Sequence, residues 1–311
     1  MKAVQINKYG HSDVLEVADI QKPSVGKGQV LIETYASCIN PVDVAIREGH
    51  MAKVRPLDFP FTMGSDLSGV IVEVGEGVED FKVSEKVYGS GIGLSGATGA
   101  FAEFVATNSI SIAKMPSKVD FNEAAAVVLT GVSAVQAMVE HFNLQPGQRI
   151  LIHGAAGGIG TIAVQIAKKI GAYVIATATG EGVEYVKNLG ADEVIDYKKQ
   201  AFDQILSNYD AVFDTVGGKT YTESFKILKR GGMIISMIAP IDEKQAQQYG
   251  VKAITQFTKV NTEHLEMLTQ CIEDGDIHVH IDKVFSLDNI KDAFDAKEKG
   301  DIKGKVVIEI K

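Results

Sequence analysis

Short stretches in which apolar and polar residues alternate, broken by Gly and Pro, fill the first 120 positions. Residues 1–6, 29–36, 68–74, 86–88 and 102–105 read as strands, with turns at 23–28 and 75–77 between them. This pattern predicts a mainly β domain. The period changes at Asp120-Phe121-Asn122-Glu123, a capping-box pattern in which the Asp side chain accepts the first free amides of an Ala-rich helix and Glu reaches back. From there apolar strands at 149–153, 173–177, 193–195, 211–214 and 233–237 alternate with helical stretches, and a sixth strand is expected at 253–258. Buried strands separated by helices imply parallel pairing with right-handed crossovers, hence an α/β fold with a doubly wound parallel sheet. The remaining pattern is a helix at 263–273, a strand at 284–286, a helix at 289–299 and a strand at 306–310. These are too few elements for a third domain. The expected layout is therefore a first domain over 1–120, a nucleotide-binding domain over 121–260, and a tail over 261–311 that returns to complete the first.

The strand ending at His153 runs straight into Gly154-Ala155-Ala156-Gly157-Gly158-Ile159-Gly160, and the helix that follows carries an apolar face of Ile159, Ile162, Ala163, Ile166, Ala167 and Ile170. Strand, glycine turn and helix are the context of a dinucleotide site: one glycine allows the tight turn, one lets the backbone approach a pyrophosphate, one lets helix and sheet pack closely. The spacing is G-x-x-G-x-x-G rather than the usual G-x-G-x-x-G, so context carries the assignment. An acid at the tip of the second strand would hold a ribose 2′-hydroxyl; here the tip reads Thr177-Ala178-Thr179-Gly180, which leaves room for a 2′-phosphate and favours NADP(H). Glu181 argues the other way, and the two threonines also read as an ordinary strand end.

With 311 residues and 45% apolar content the chain can fill two cores. Forty acidic against thirty-one basic residues give a net charge of −9 without a basic run, so a nucleic-acid partner is not expected. The apolar stretches read as strand-length runs, short of the roughly 20 residues a membrane span needs, and a strand begins at the N-terminus, so neither a membrane partner nor a leader is expected. Two cysteines, Cys38 and Cys271, fit a reducing cytoplasm rather than a disulfide framework. His153 reads as a packed core residue.

The sequence resembles the medium-chain dehydrogenase/reductase superfamily and, within it, the zinc-independent quinone oxidoreductases related to zeta-crystallin. The resemblance spans nearly the whole chain. It is carried by Cys38-Ile39-Asn40-Pro41-Val42-Asp43, the segment 64–75 from Gly64-Ser65-Asp66 onward, Leu129-Thr130-Gly131, the glycine loop, Leu189-Gly190-Ala191-Asp192, Asp214-Thr215-Val216-Gly217-Gly218 and Lys303-Gly304-Lys305-Val306-Val307. It implies a GroES-like β domain built from both chain ends, with the Rossmann domain inserted into it and the cofactor between them. It also implies cofactor contacts from Thr130 at the nicotinamide amide, from Gly158 and Ile159 at the pyrophosphate, from Thr177 and Tyr197 near the adenosine phosphate, from Val216 and Gly217 at the ribose, and from Ile238 at the nicotinamide. Ala156, Gly157, Thr179, Asn40 and Lys305 are further candidates for cofactor contact. Zinc relatives bind the metal through a Cys and a Gly-His-Glu motif; Asn40 stands at the first position and Gly64-Ser65-Asp66 at the second, so no metal site is expected.

Without a Lewis acid, reduction of a conjugated acceptor is the feasible chemistry: a quinone or an α,β-unsaturated carbonyl takes hydride because its oxygen accepts the charge. Asn40 is the candidate donor to that oxygen or to the nicotinamide ribose, and Asp43 the residue that positions Asn40 or the ribose; Asn-Pro and Asp at a strand exit also read as a simple turn. The expected function is an NADPH-dependent quinone or enone oxidoreductase, cytoplasmic and homodimeric through the edge strand at 253–258. The alternatives are a zinc-dependent alcohol dehydrogenase and a non-enzymatic NADPH-binding protein.

Overall fold

A computed structural model describes every residue except Asp276, Asp301 and Lys303; the last of these, quoted in the resemblance, lies outside the described residues. The chain divides into two compact units, one of Met1–Leu129, Val260–Asp274 and Val279–Lys311, the other of Thr130–Lys259 and Gly275–His278.

The first unit begins with β1 (Lys2–Ile6), β2 (Glu16–Asp19) and β3 (Gln29–Cys38), then α1 (Pro41–Arg47), β4 (Phe61–Thr62), β5 (Asp66–Val74), β6 (Lys86–Ser90), β7 (Phe104–Asn108) and β8 (Ile112–Lys114). The long strand β3 pairs antiparallel with both β5 and β7, so it forms the spine of the unit. Residues 41–47 form a helix, where the sequence left a turn open: Pro41 sits at the first turn, where its missing N–H costs nothing, and Asp43 Oδ2 accepts the Asn40 N–H at 2.8 Å. Next, α2 (Phe121–Val135) opens with both legs of the expected capping box, Glu123 N–H to Asp120 at 2.9 Å and Asp120 N–H to Glu123 at 3.0 Å. The division between the units falls within this helix, between Leu129 and Thr130.

Helical structure continues beyond α2 to His141, and the span Phe121–His141 is long and apolar enough to cross a membrane by length and composition. This corrects the expectation that no apolar stretch reaches that length. In the fold 78% of its apolar window is buried within the protein, as in a core helix.

The second unit contains β9 (Arg149–Ile152), α3 (Gly158–Ile170), β10 (Tyr173–Ala178), α4 (Gly182–Asn188), β11 (Glu193–Asp196), α5 (Phe202–Ile205), β12 (Tyr209–Asp214), α6 (Lys219–Ser224), β13 (Leu228–Ser236), α7 (Glu243–Tyr249) and β14 (Lys252–Thr255). Its sheet has the order β11-β10-β9-β12-β13-β14 with every neighbouring pair parallel. The order reverses between β9 and β12, and ligands of open α/β sheets bind outside the carboxyl ends of the strands at such a point. Of the predicted face of α3, Ile162, Ala163, Ile166 and Ala167 are at 3% exposure or less, while Ile159 and Ile170 at its ends are half-buried. The sixth strand stops at Thr255, short of the expected 258.

The chain then returns to the first unit through α8 (Thr262–Glu273), β15 (Ile281–Ser286), α9 (Ile290–Glu298) and β16 (Lys305–Glu309). The last strand pairs antiparallel with β3, Val307 opposite Cys38. Val4 and Ile6 from the start of the chain share one core with Phe294, Val306 and Ile308 from its end. The Rossmann domain is thus an insertion in a discontinuous, mainly β domain.

Candidate functional site

In the second unit the turn between β9 and α3 separates the roles of its glycines. Gly154 adopts φ +67°, in the left-handed region, and a Cβ there would meet Thr215 Oγ1 at 2.4 Å. A Cβ on Gly160 would sit 2.4 Å from the Gly154 carbonyl oxygen and 2.6 Å from Ala155 Cα, so this glycine permits the close packing of helix on turn. Gly157, the residue before the helix, has ordinary extended angles, and a Cβ on it would meet only the Gly154 carbonyl oxygen, at 3.2 Å. Its openness is not needed for packing. It fits a backbone kept bare for an approaching diphosphate, beside the free amides of the first turn of α3, which holds no acidic residue.

Thr177, Tyr197 and Val216 come together with Gly154, His153 and Phe202 around a cavity of about 430 Å3. His153 is buried, contacts Thr177 Oγ1 at 3.1 Å and Ser224 Oγ at 3.0 Å, and burial pushes its pKa down to about 3, so it is a neutral packing residue. Asp214, not singled out from the sequence, builds the turn after β12: its carboxylate accepts the Val216 and Gly217 N–H groups, each at 3.0 Å, and the Ser236 hydroxyl at 2.7 Å. The D-T-V-G-G run was the available signal. Ile238 stands 62% exposed and lines a separate cleft of about 810 Å3 with Tyr221 and Ile241. Ala156, Gly158 and Ile159 lie in the turn and first helical turn, and Thr130 is buried on α2.

The β10 tip is not as free of acid as its own residues suggest. Parallel register sets Asp196 of β11 beside Ala178, and its carboxylate accepts the Thr179 hydroxyl at 2.8 Å. That hydrogen bond, first among the causes, holds its pKa below the ordinary value; Lys199 lies 3.2 Å away.

The first unit gathers a second constellation. Asn40, Asp43, Ser65, Asp66 and Lys305 are each 5% exposed or less. Lys305 Nζ donates to Asn40 Oδ1 at 2.5 Å; Asn40 Nδ2 donates to Asp66 Oδ2 at 2.7 Å and to Ser65 Oγ at 3.1 Å. The Ser65 hydroxyl donates to Asp43 Oδ2 at 3.1 Å, and the Leu129 N–H to Asp66 Oδ2 at 3.2 Å. Burial pushes Asp43 up to about 7 and Asp66 to about 6, each partly offset by hydrogen bonds and the Lys305 charge, while Asp66 adds to the rise at Asp43. Cys38 is pushed up to about 11, again by burial. Both amide hydrogens of Asn40 are committed within the cluster, so the geometry makes Asn40 a positioning residue and leaves no donor on it for an acceptor oxygen. Ser65 and Asp66 entered the sequence reading only as lost metal ligands; their place beside Asn40 depends on β3–β5 pairing.

Two family models match the chain: "Alcohol dehydrogenase GroES-like domain" over residues 26–117 and "Zinc-binding dehydrogenase" over 189–308. The chain is 34% identical to the chloroplast envelope quinone oxidoreductase homolog of Arabidopsis thaliana, covering 99% of this chain and 98% of that one. It is 32% identical to the chloroplastic NADPH-dependent alkenal/one oxidoreductase of the same plant, covering 99% and 79%. Among solved structures, the quinone oxidoreductase from Coxiella burnetii superposes with a TM-score of 0.91 at 31% identity, covering 100% and 99% of the two chains. Fold, glycine turn and similarity along the full length agree, and the chain belongs to the quinone oxidoreductases of the medium-chain dehydrogenase/reductase superfamily.

Proposed function

We propose that this protein is an NADPH-dependent oxidoreductase that transfers hydride to a quinone or an α,β-unsaturated carbonyl without zinc. The observation that carries the reading is the glycine turn: Gly154 and Gly160 are required by the fold, whereas a Cβ on Gly157 would meet a single carbonyl oxygen at 3.2 Å, which leaves that backbone open to a diphosphate. A bound nicotinamide supplies the hydride chemistry. The chain's residues hold its phosphates at the start of α3, accept its adenosine end in the Thr177–Tyr197–Val216 cavity, and offer the exposed apolar side chain of Ile238 at the carboxyl end of the sheet.

The zinc-free part rests on the first unit. The positions that match metal ligands hold an amide and a hydroxyl already bonded to one another, with a lysine ammonium on the amide oxygen. Neither is a good zinc ligand, and the ammonium would repel a dication. Relatives named as quinone and as NADPH-dependent alkenal/one oxidoreductases support the acceptor and cofactor. The reading includes a cytoplasmic homodimer, supported by Cys38 and Cys271 standing outside any disulfide and by the outer edge of β14, which a second copy can extend.

Steady-state rates with NADPH and NADH on 1,4-benzoquinones and alkenals test cofactor and reaction together, with NADPH expected to be the better donor. Elemental analysis that returned stoichiometric zinc would reject the metal-free site, and light scattering that returned only monomer would reject the dimer.

A further inference from the structure

We propose that Lys199 is the residue that recognises the 2′-phosphate of NADPH, held at the β10 tip by Asp196 of the neighbouring strand. The inference rests on the NADPH reading and names the cation which that reading needs.

In a dinucleotide fold the end of the second strand decides the cofactor: an acid there takes the ribose 2′-hydroxyl, and a nearby cation accommodates a 2′-phosphate. Here that strand is β10, and its own segment brings no such cation. Residues 171–186 contain no lysine or arginine, and the charged residues after the tip are Glu181 and Glu184. A cation has to arrive from another element.

The neighbouring strand delivers one. Parallel register sets Asp196 beside Ala178, and the Tyr197 N–H donates to the Ala178 carbonyl oxygen at 3.2 Å, so the chain leaving β11 stays on the end of β10. A tight turn follows, in which the Lys199 and Gln200 N–H groups both donate to the Asp196 carbonyl oxygen at 2.9 Å. The Lys199 ammonium then stands 3.2 Å from Asp196 Oδ2, while the Thr179 hydroxyl of the tip donates to Oδ1 of the same carboxylate at 2.8 Å. One carboxylate thus joins the tip to the lysine.

The two charged partners differ in freedom. The Asp196 side chain is 14% exposed and accepts from Thr179 and from the Lys198 N–H at 3.2 Å, whereas the Lys199 side chain is 79% exposed. The carboxylate is fixed and the lysine can turn. A 2′-phosphate at the tip, with a charge of about −1.5 to −2, outcompetes a single carboxylate for the ammonium, and the exchange offsets its repulsion by Asp196. With NADH the ion pair stays as it is, so Lys199 reads the phosphate and not the dinucleotide.

Lys219 is the competing cation. It lines the 430 Å3 cavity with Thr177 and Tyr197, but it opens α6 after β12, and the sheet order places β9 between β12 and β10. Asp203 and Glu223 line the same cavity, where they hold Lys226 and oppose a phosphate on that side.

The test measures binding to the full chain by titration calorimetry, comparing adenosine 2′,5′-bisphosphate with 5′-AMP and NADPH with NADH. Lys199→Met is expected to weaken the bisphosphate and NADPH by about 10-fold, the scale of one hydrogen bond to a charged group, and to leave 5′-AMP and NADH within about 2-fold. Lys199→Arg keeps the charge and should keep the preference, and Lys219→Met should retain the wild-type preference. If the Met variant does not fold, Lys199→Gln carries the same comparison. Undiminished bisphosphate binding in a folded neutral variant overturns the inference, as does equal weakening of all four ligands or a preference lost in Lys219→Met alone. A wild type that binds none of the four overturns the NADPH reading and this inference together. If NADPH binding depends on Lys199 in this way yet no acceptor is reduced, the inference stands and the reductase reading falls.

Discussion

A methyl group added at Gly160 runs into backbone atoms 2.4 and 2.6 Å away, whereas one added at Gly157 meets a single carbonyl oxygen at 3.2 Å. The two substitutions should therefore fail differently. Gly160→Ala is expected to lower stability by ~1–3 kcal/mol, an overpacking cost read in urea unfolding. Gly157→Ala should fold with a near-normal midpoint and bind NADPH at least about 10-fold more weakly, because the methyl occupies the approach to the diphosphate. Equal effects in both assays would remove the distinction. The Thr179 hydroxyl favours the ionised carboxylate of Asp196 beside the β10 tip; if that tip takes the 2′-phosphate of NADPH, Asp196→Asn should lower KM for NADPH more than KM for NADH. Asp43 gives a pH signature. Its pKa rises from near 3.8 to about 7, mainly by burial, so the folded protein holds this proton more tightly than the unfolded chain. Its contribution is fully present below pH ~4 and is lost as pH rises through 7, a swing on the order of 4 kcal/mol. Asp43→Asn cannot ionise, and its unfolding free energy should fall less steeply between pH 4 and 7 than that of wild type. Parallel curves would mean that Asp43 carries no raised pKa.

At the scale of elements, local chemistry decided what the sequence could disclose. The start of α2 was legible because a capping box is complete within four residues, and Asp120 and Glu123 make both of its bonds. Asp120→Ala should cost about 1 kcal/mol, measured as a shift in denaturant midpoint at constant slope. The parallel strands were legible for the same reason: each is a buried apolar run closed by turn residues. In contrast, α1 was ambiguous, because Asn-Pro-x-Asp serves a turn and a helix start equally well, and buried Ile46 and Arg47 join the local cap in favouring the helix. The strands β2 and β4 are only four and two residues long and exist through their pairing with β1. The polar cluster lay further out of reach. Asn40 meets Asp66 across 26 positions and Lys305 across 265, so no spacing rule joins them. Asp196 reaches Thr179 only because β10 and β11 are parallel in a particular register.

For the molecule as a whole, the two constellations fall in different units. The glycine turn, the β10 tip and the β12 turn all belong to Thr130–Lys259, while Asn40, Asp43, Ser65, Asp66 and Lys305 all belong to the unit formed by the chain ends. Linkage then makes a directional prediction. A ligand that binds only the folded state stabilises it by RT ln(1 + [L]/Kd), about 2.7 kcal/mol at a concentration 100 times Kd. If NADPH binds through the turn, the added protection in hydrogen exchange should be largest in amides of residues 154–160, the tip after β10 and the turn at 214–218. Amides of β1, β2 and β4, which form a small sheet of the first unit, should gain least. Lys305→Met removes a cation from the first unit and leaves the glycine turn intact, so the protection pattern with NADPH should survive in that variant. Gly157→Ala should do the reverse, erasing the protection while leaving the Asn40 cluster unchanged. Exchange protection that vanished in both variants would show that cofactor binding depends on the cluster as well, and would merge two sites that the chain's own architecture keeps in separate units.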